Sequence, residues 1–367
     1  MPGVCWWREV KNISGLLPLL LCGLSGAQTN LTVARWPQDR AAAISLTFDD
    51  AMISQLDHVG PILRKYSLHG TFFVTTGTEA WRNRIVDWKR LASEGNEIGG
   101  HTVHHPCLLE RIEPHAQGYS PEMMEAEIRD SAQAILREIG SRHGLTFAYP
   151  CGNMSFGQPA DQARNEAVYL RFVSEHFYAA RAYGWPAAVT PDELSILSVP
   201  DLGFTAGRDF RSLLEMADAG LRNHQWGVFT FHGVGGQWLS VTTEDFDELA
   251  AYLARHSEIW TTTFGDAVRY IQESKALVSR LVESNSNSYR FVLTWPLDTQ
   301  IFNLPLTLIW QMPASWTACD ARADDKAIEV RLSARPSGSV ALVDIPSSTH
   351  SLMLEKRTAE TAWRAGK

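Results

Sequence analysis

The stretch Ile44-Ser45-Leu46-Thr47-Phe48-Asp49-Asp50 is a strand-forming run closed by two carboxylates. Further on, His101-Thr102-Val103-His104-His105 closes a second strand-like segment, Glu97–Gly100. An Asp-Asp pair alone mostly caps a helix or faces solvent, and a His-x-x-x-His spacing alone is mostly surface. Both together, each after an apolar run, bring carboxylates and imidazoles to strand ends. One carboxylate and two His, leaving coordination positions open, suit a zinc-type ion that activates water.

Outward from this stretch the chain alternates helical and strand-like patterns. A helix is predicted over Ile53–Tyr66, interrupted near Gly60-Pro61, then a strand over Thr71–Val74 and a helix over Asp87–Ser93. Ser120-Pro121 opens the clearest helix, with Met124, Ile128, Ala132, Ile135 and Ile139 at helical spacing and Gly140 as its stop. Strands are predicted at Leu145–Tyr149, Phe177–Ala182, Trp226–Phe231 and Ile259–Thr262, with helices at Phe246–Leu253 and Phe264–Ser274. Such alternation predicts a parallel α/β barrel or a doubly wound sheet. Asp49, Asp50, His101, His105, Pro150 and His232 all follow strands, on the face where barrel sites assemble.

Near residue 280 the composition shifts, and Ser284-Asn285-Ser286-Asn287-Ser288 reads as a linker. Strand candidates follow at Tyr289–Trp295, Leu306–Gln311, Ile328–Leu332 and Val340–Ile345, so a small β-sandwich is expected over 285–355. Its runs carry no His, and its one carboxylate pair, Asp324-Asp325, sits in a polar turn. Residues 1–27 read as an export signal: Arg8 and Lys11, the apolar Leu16–Leu24, then Ser25-Gly26-Ala27. The apolar stretch is too short for a stable membrane span. The 367 residues, 45% hydrophobic and 20% charged, describe an ordinary globular chain. A net charge of −8 argues against nucleic acid as partner. The 13 Trp are first of all core, with sugar stacking the alternative.

The motifs resemble those of the polysaccharide deacetylase family, the NodB-homology or carbohydrate esterase family 4 group. Thr47-Phe48-Asp49-Asp50 matches its first motif, and His101, Thr102 and His105 its second. Ala148-Tyr149-Pro150-Cys151-Gly152 partly matches the third, and Val228-Phe229-Thr230-Phe231-His232-Gly233 the last. The resemblance covers roughly residues 40–270. It implies an irregular (β/α) barrel of the NodB type over 28–280, carrying the small C-terminal β-sandwich, and a carbohydrate substrate.

By that resemblance Asp50, His101 and His105 would hold one divalent ion, zinc or else cobalt or another such ion. Asp49 would be the general base and His232 the general acid. Tyr149, Pro150 and Cys151 would wall the groove, with the Cys151 N–H aimed at the oxyanion. Thr102 would orient a metal-bound group, and His104 has no role in the pattern. Ala148 stands where the family carries an arginine, and Arg181, from another strand, is the candidate to replace it beside Asp49. The family's fourth, Asp/Trp motif finds no convincing copy. Trp185 and Trp238 are candidates to stack on sugar.

After export three thiols remain, Cys107, Cys151 and Cys319. Cys151 is expected unpaired, with Cys107–Cys319 the one bridge left open. The expected activity is removal of acetyl groups from N-acetylated carbohydrate outside the cytoplasm, secreted or periplasmic. An O-acetyl esterase, a small-amide amidohydrolase and a carbohydrate-binding protein with a vestigial site are the alternatives.

Overall fold

The structure, a computed structural model, describes residues 31–357 apart from 142, 184–189 and 223. The export-signal segment and Trp185 lie outside the described residues. The first strand, β1 (Leu31–Val33), is followed by seven parallel strands: β2 (Ala42–Asp49), β3 (Thr71–Val74), β4 (Glu97–Gly100), β5 (Thr146–Ala148), β6 (Ala179–Arg181), β7 (Trp226–Phe231) and β8 (Ile259–Thr261). They form one sheet in the order β6-β5-β4-β3-β2-β7, with β8 against the first half of β2.

The alternation along β2 decides which residues meet. Successive side chains point to opposite faces. Ile44, Leu46 and Phe48 join the core that includes the surrounding helices, where Phe48 stacks between Phe72 (4.8 Å) and Phe231 (5.4 Å). Ala43 joins the other core, with Phe73, Trp226, Val228 and Phe264. Ser45, Thr47 and Asp49, on that same inner face, are buried too. The barrel interior is therefore apolar at its base and polar at the carboxyl end of its strands.

Closure is irregular. Residues 196–204 bridge the gap between β6 and β7 through Ala180 N–H to Ile196 O (2.7 Å), Val199 N–H to Ala180 O (2.9 Å) and Leu202 N–H to Val228 O (2.8 Å). Phe204 bridges Thr230. No continuous strand forms, because Pro200 has no N–H and Gly203 takes φ of 91°. This is the NodB-type barrel that the resemblance implies.

The helix expected over Ile53–Tyr66 is a π-turn, Gln55–Val59, continued by an α-helix, Gly60–Lys65. The Ser120-capped helix runs Pro121–Glu138. Among the described residues the α-helices Glu79–Asn83, Gln162–His176 and Phe210–Arg222 have no counterpart in the sequence pattern.

The rest of the chain, β9 (Val278–Ser284), β10 (Ser288–Thr294), β11 (Leu306–Gln311), β12 (Cys319–Ala323), β13 (Lys326–Ile328), β14 (Arg331–Arg335), β15 (Gly338–Ile345) and β16 (Ser351–Lys356), forms two antiparallel sheets. Their orders are β1-β11-β15-β14 and β13-β12-β16-β10-β9, and they share one core, a β-sandwich. The polar stretch 284–288 is a hairpin turn, not a linker: Asn285 Oδ1 accepts from the N–H of Asn287 and of Ser288. A turn and a linker share a composition, and only the pairing of β9 with β10 separates them. The sandwich also takes β1 from upstream of the barrel. Trp310 and Trp316 are buried in its core against Tyr289. Glu273 and Arg269, on the helix Phe264–Ala276, bind the connecting segment: Leu304 N–H to Glu273 Oε1 is 3.0 Å, and Arg269 Nη1 to Ile301 O is 3.2 Å.

Candidate active site

Asp49 ends β2 on its inner face and is 2% exposed. Arg181 ends β6, far along the sheet, yet its Nη2 lies 2.5 Å from Asp49 Oδ2 because the sheet curls. The guanidinium also donates from Nη1 to Thr47 Oγ1 (2.8 Å) and Thr230 Oγ1 (2.7 Å), and lies 5.2 Å over the Phe73 ring. Burial alone would lower the arginine's pKa, but Asp49 and Asp201 outweigh it and hold the charge firmly. Ala148, at the end of β5, leaves the barrel interior open to this side chain. The other oxygen of Asp49, Oδ1, is buried without a partner among the described residues.

Asp50 turns away from β2 with φ of 76°, followed by Ala51 at 57°. Left-handed backbone at non-glycine residues is costly and clusters at functional sites. Here it turns two adjacent carboxylates to different tasks. Asp50 Oδ1 lies 3.5 Å from both His101 Nε2 and His105 Nε2. Ligands about 2.1 Å from a tetrahedral ion sit roughly 3.4 Å from one another, which the two spacings from Asp50 match, and all three ligand atoms lie within 4.8 Å of one another. The donor set of one carboxylate and two imidazoles is equally suited. Among the described residues these three form a group able to hold a metal.

Backbone and loop fix the two imidazoles. His101 donates from Nδ1 to Ala148 O at 2.7 Å, which leaves the Nε2 lone pair for the ion. Burial opposes charge on His101, but Asp49 and Asp50 outweigh it and raise its pKa. At His105, burial and then the charge of His101 push the pKa down to about 4, keeping the ring neutral as a ligand must be. For Asp50 burial pushes upward, and the His101 hydrogen bond with the neighbouring imidazoles pulls it below the usual carboxylate range.

Thr102 does not reach towards the ligand set's centre; its hydroxyl donates to His101 O (2.6 Å) and accepts from His105 N–H (2.9 Å), stapling the loop. His104 is an anchor of that loop: its Nδ1 meets Glu127 Oε1 at 2.8 Å. Glu127 Oε2 accepts the N–H of Val103 (2.9 Å) and of His104 (2.8 Å). Glu127 comes from the helix Pro121–Glu138 and is buried. Thr102 and His105 both hold positive φ, which this clamp sustains.

The third motif departs from expectation. Cys151 is not free but forms a disulfide with Cys107, and Cys319 is the free thiol among the described residues, buried. Residues 107 and 151 are remote in sequence, and only the parallel neighbours β4 and β5 bring their following loops together. Nor is the Tyr149 side chain a groove wall: it is buried against Phe147 and Tyr169 and donates to Leu197 O at 3.0 Å. Pro150 is buried and Cys151, at φ of 51°, half-buried, so only the turn backbone remains for an oxyanion.

His232 follows β7 on the inner face, 7% exposed, with its ring stacked 6.4 Å from Phe204. Phe204 is 49% exposed and Trp238, on the loop after His232, 59%. Sequence reading missed Asp201, on the closing segment. It is fully buried, accepts Thr230 Oγ1–H at 2.6 Å and so joins the Arg181 network. Burial raises its pKa, partly opposed by Arg181 and Thr230. The apolar run Ile196–Val199 just before Asp201 was the available signal. No helix among the described residues is long and apolar enough to cross a membrane.

The polysaccharide deacetylase family model matches residues 37–169. A gellan lyase of a Bacillus species is 25% identical over 320 residues, covering 78% of this chain and 12% of that protein. The peptidoglycan-N-acetylmuramic acid deacetylase of Bacillus subtilis is 25% identical over 137 residues, 36% of this chain and 48% of that one. The chain thus spans less than half the length of either relative. Among solved structures, the Xyl-CE4 domain of a multidomain xylanase from the hindgut metagenome of Trinervitermes trinervoides superposes at a TM-score of 0.42. It is 16% identical and covers 62% of this chain and 89% of that one. Arg181, Asp201 and His232 lie beyond the segment that matches the polysaccharide deacetylase family model, which itself holds Asp49, Asp50, His101, His105 and Pro150.

Proposed function

We propose that this chain is a metal-dependent hydrolase that removes acetyl groups from N-acetylated carbohydrate of the chitooligosaccharide or peptidoglycan type. The observation that carries this reading is the division of labour between adjacent carboxylates. Asp50 joins the two imidazoles, while Asp49 is held by Arg181 through Oδ2 and keeps Oδ1 buried and unpaired. A divalent ion held by Asp50, His101 and His105, zinc or cobalt, would supply Lewis acidity and lower the pKa of water. Asp49 Oδ1 accepts the proton of the attacking water. The turn N–H at Cys151 faces the oxyanion, and His232 protonates the nitrogen as the C–N bond breaks, giving acetate and a free amine. Phe204 beside His232 offers an apolar face to the leaving sugar.

Action outside the cytoplasm belongs to the same proposal. It is supported by the signal-like residues 1–27 and by the Cys107–Cys151 bridge, which suits an oxidising compartment. The test is elemental analysis of the mature protein together with acetate release from acetylated chitooligosaccharides. About one zinc per chain and loss of acetate release on chelation, restored by added metal, is the expected result. A metal-free protein indifferent to chelator would overturn the reading.

A further inference from the structure

The strands that carry the proposed base and acid are neighbours. β2 and β7 run in register with Phe48 opposite Phe231, so Asp49 and His232 occupy the next position, just where the ladder stops. Beyond it Asp50 and Ala51 turn away at positive φ. The carbonyls of Asp49 and His232 are left at the open end of two parallel strands, inside the protein.

A single side chain serves both. Gln55 is fully buried, and its amide nitrogen lies 2.5 Å from Asp49 O and 3.1 Å from His232 O. Turning the amide round would set its oxygen against two carbonyl oxygens, so the NH₂ orientation is required. Its own oxygen, Oε1, is buried without a partner among the described residues, the cost of placing both donors on the strand ends. A π-turn, Gln55–Val59, places Gln55 at that spot; such turns recur at functional sites.

We propose that Gln55 is a positioning residue that sets base and acid relative to one another. Its amide substitutes for the missing next rung of the ladder and ties residues 49 and 232 through their backbones. The inference rests on the reading of Asp49 as base and His232 as acid. Neighbouring links would survive its loss: Ser54 N–H to Gln237 Oε1 is 2.7 Å, and His58 Nδ1 meets Val234 O at 2.6 Å. The segment should therefore stay folded while the two reacting side chains lose their mutual setting.

The experiment compares wild type with Gln55→Met, which keeps volume and removes both donors, on penta-N-acetylchitopentaose and on 4-nitrophenyl acetate. Nitrophenolate leaves without a proton, so only the amide reaction needs the acid. Misplacement on the ångström scale should cost the amide reaction roughly 10–100-fold in kcat. The ester should lose several-fold less, with KM and zinc titration at wild-type values. Equal losses on both substrates, or none, would overturn the proposal. Should Gln55→Met not fold, Gln55→Glu carries the same comparison, because it cannot offer two donors at once. Asp49→Asn and His232→Ala run alongside separate the two failures. If both retain wild-type rates on the amide, the base and acid reading falls; if both lose the amide reaction while Gln55→Met is fully active on it, only this inference falls.

Discussion

The guanidinium of Arg181 at the end of β6 lies 2.5 Å from the carboxylate of Asp49 at the end of β2, both 2% exposed. Strands β5, β4 and β3 separate them along the sheet, so the contact crosses the barrel interior. Removing one partner of a buried pair leaves an uncompensated charge, at about 3–5 kcal/mol. Arg181→Met should therefore lower stability by about that amount in denaturant titration. Arg181→Lys should lose less stability but still lose turnover, since an ammonium cannot hold Asp49, Thr47 and Thr230 in one plane.

Asp49→Asn should bind metal as wild type does and lose about 10²–10⁴-fold in kcat. Asp50→Ala should lose the metal itself. Zinc titration beside acetate release checks both, and an active Asp49→Asn would remove the base from the scheme.

Glu127 touches none of the three ligand side chains, yet it holds the backbone between His101 and His105. Partners of this kind typically matter 10–100-fold in metal affinity. Glu127→Ala should weaken zinc binding roughly that much in competition titration, with Glu127→Gln between, because its amide keeps one acceptor. Unchanged affinity in Glu127→Ala would show that the loop holds its shape unaided.

The Cys107–Cys151 bridge joins the loop after the His ligands to the turn after β5 across 44 residues. Closing a loop of that size is worth about 4 kcal/mol in the chain-entropy account. The Cys107→Ser, Cys151→Ser double variant should lose stability of that order and bind zinc more weakly. A variant equal to wild type in both would mean the loops need no tie.

Glu273, at the barrel–sandwich contact, has one oxygen bonded to Leu304 N–H and the other buried without a partner among the described residues. Burial raises its pKa from the ordinary 4.5 to about 7, with Leu304 and Arg269 opposing. An acid whose pKa rises on folding binds more protons folded than unfolded, so stability falls with pH between those two values. Glu273→Gln keeps the acceptor and removes the charge. It should flatten that part of the pH–stability curve and gain on the order of 2 kcal/mol at pH 8. Urea denaturation at pH 5 and pH 8 reads the difference, and a parallel shift at both would reject the titration of Glu273.

The sequence by itself determined what depends on local order. The run Ile44–Asp50 and the segment Glu97–His105 placed carboxylates and imidazoles at strand ends, and the alternation of patterns predicted a parallel α/β fold. The substitute for the arginine missing at Ala148 was nameable because β6 ends in a charge. Tertiary structure decided whatever depends on which strand ends converge. Curling of the sheet brings Arg181 to Asp49, and the closing segment 196–204 brings Asp201 to Thr230. The packing of loops after β4 and β5 pairs Cys107 with Cys151, a choice among three thiols that spacing cannot make. Nor can composition tell that residues 284–288 are a turn, which only the pairing of β9 with β10 shows, or that β1 joins the sandwich, since its partner β11 lies hundreds of residues away. Side-chain chemistry is written residue by residue, whereas the distances that make it a site arise only when remote strands share one sheet.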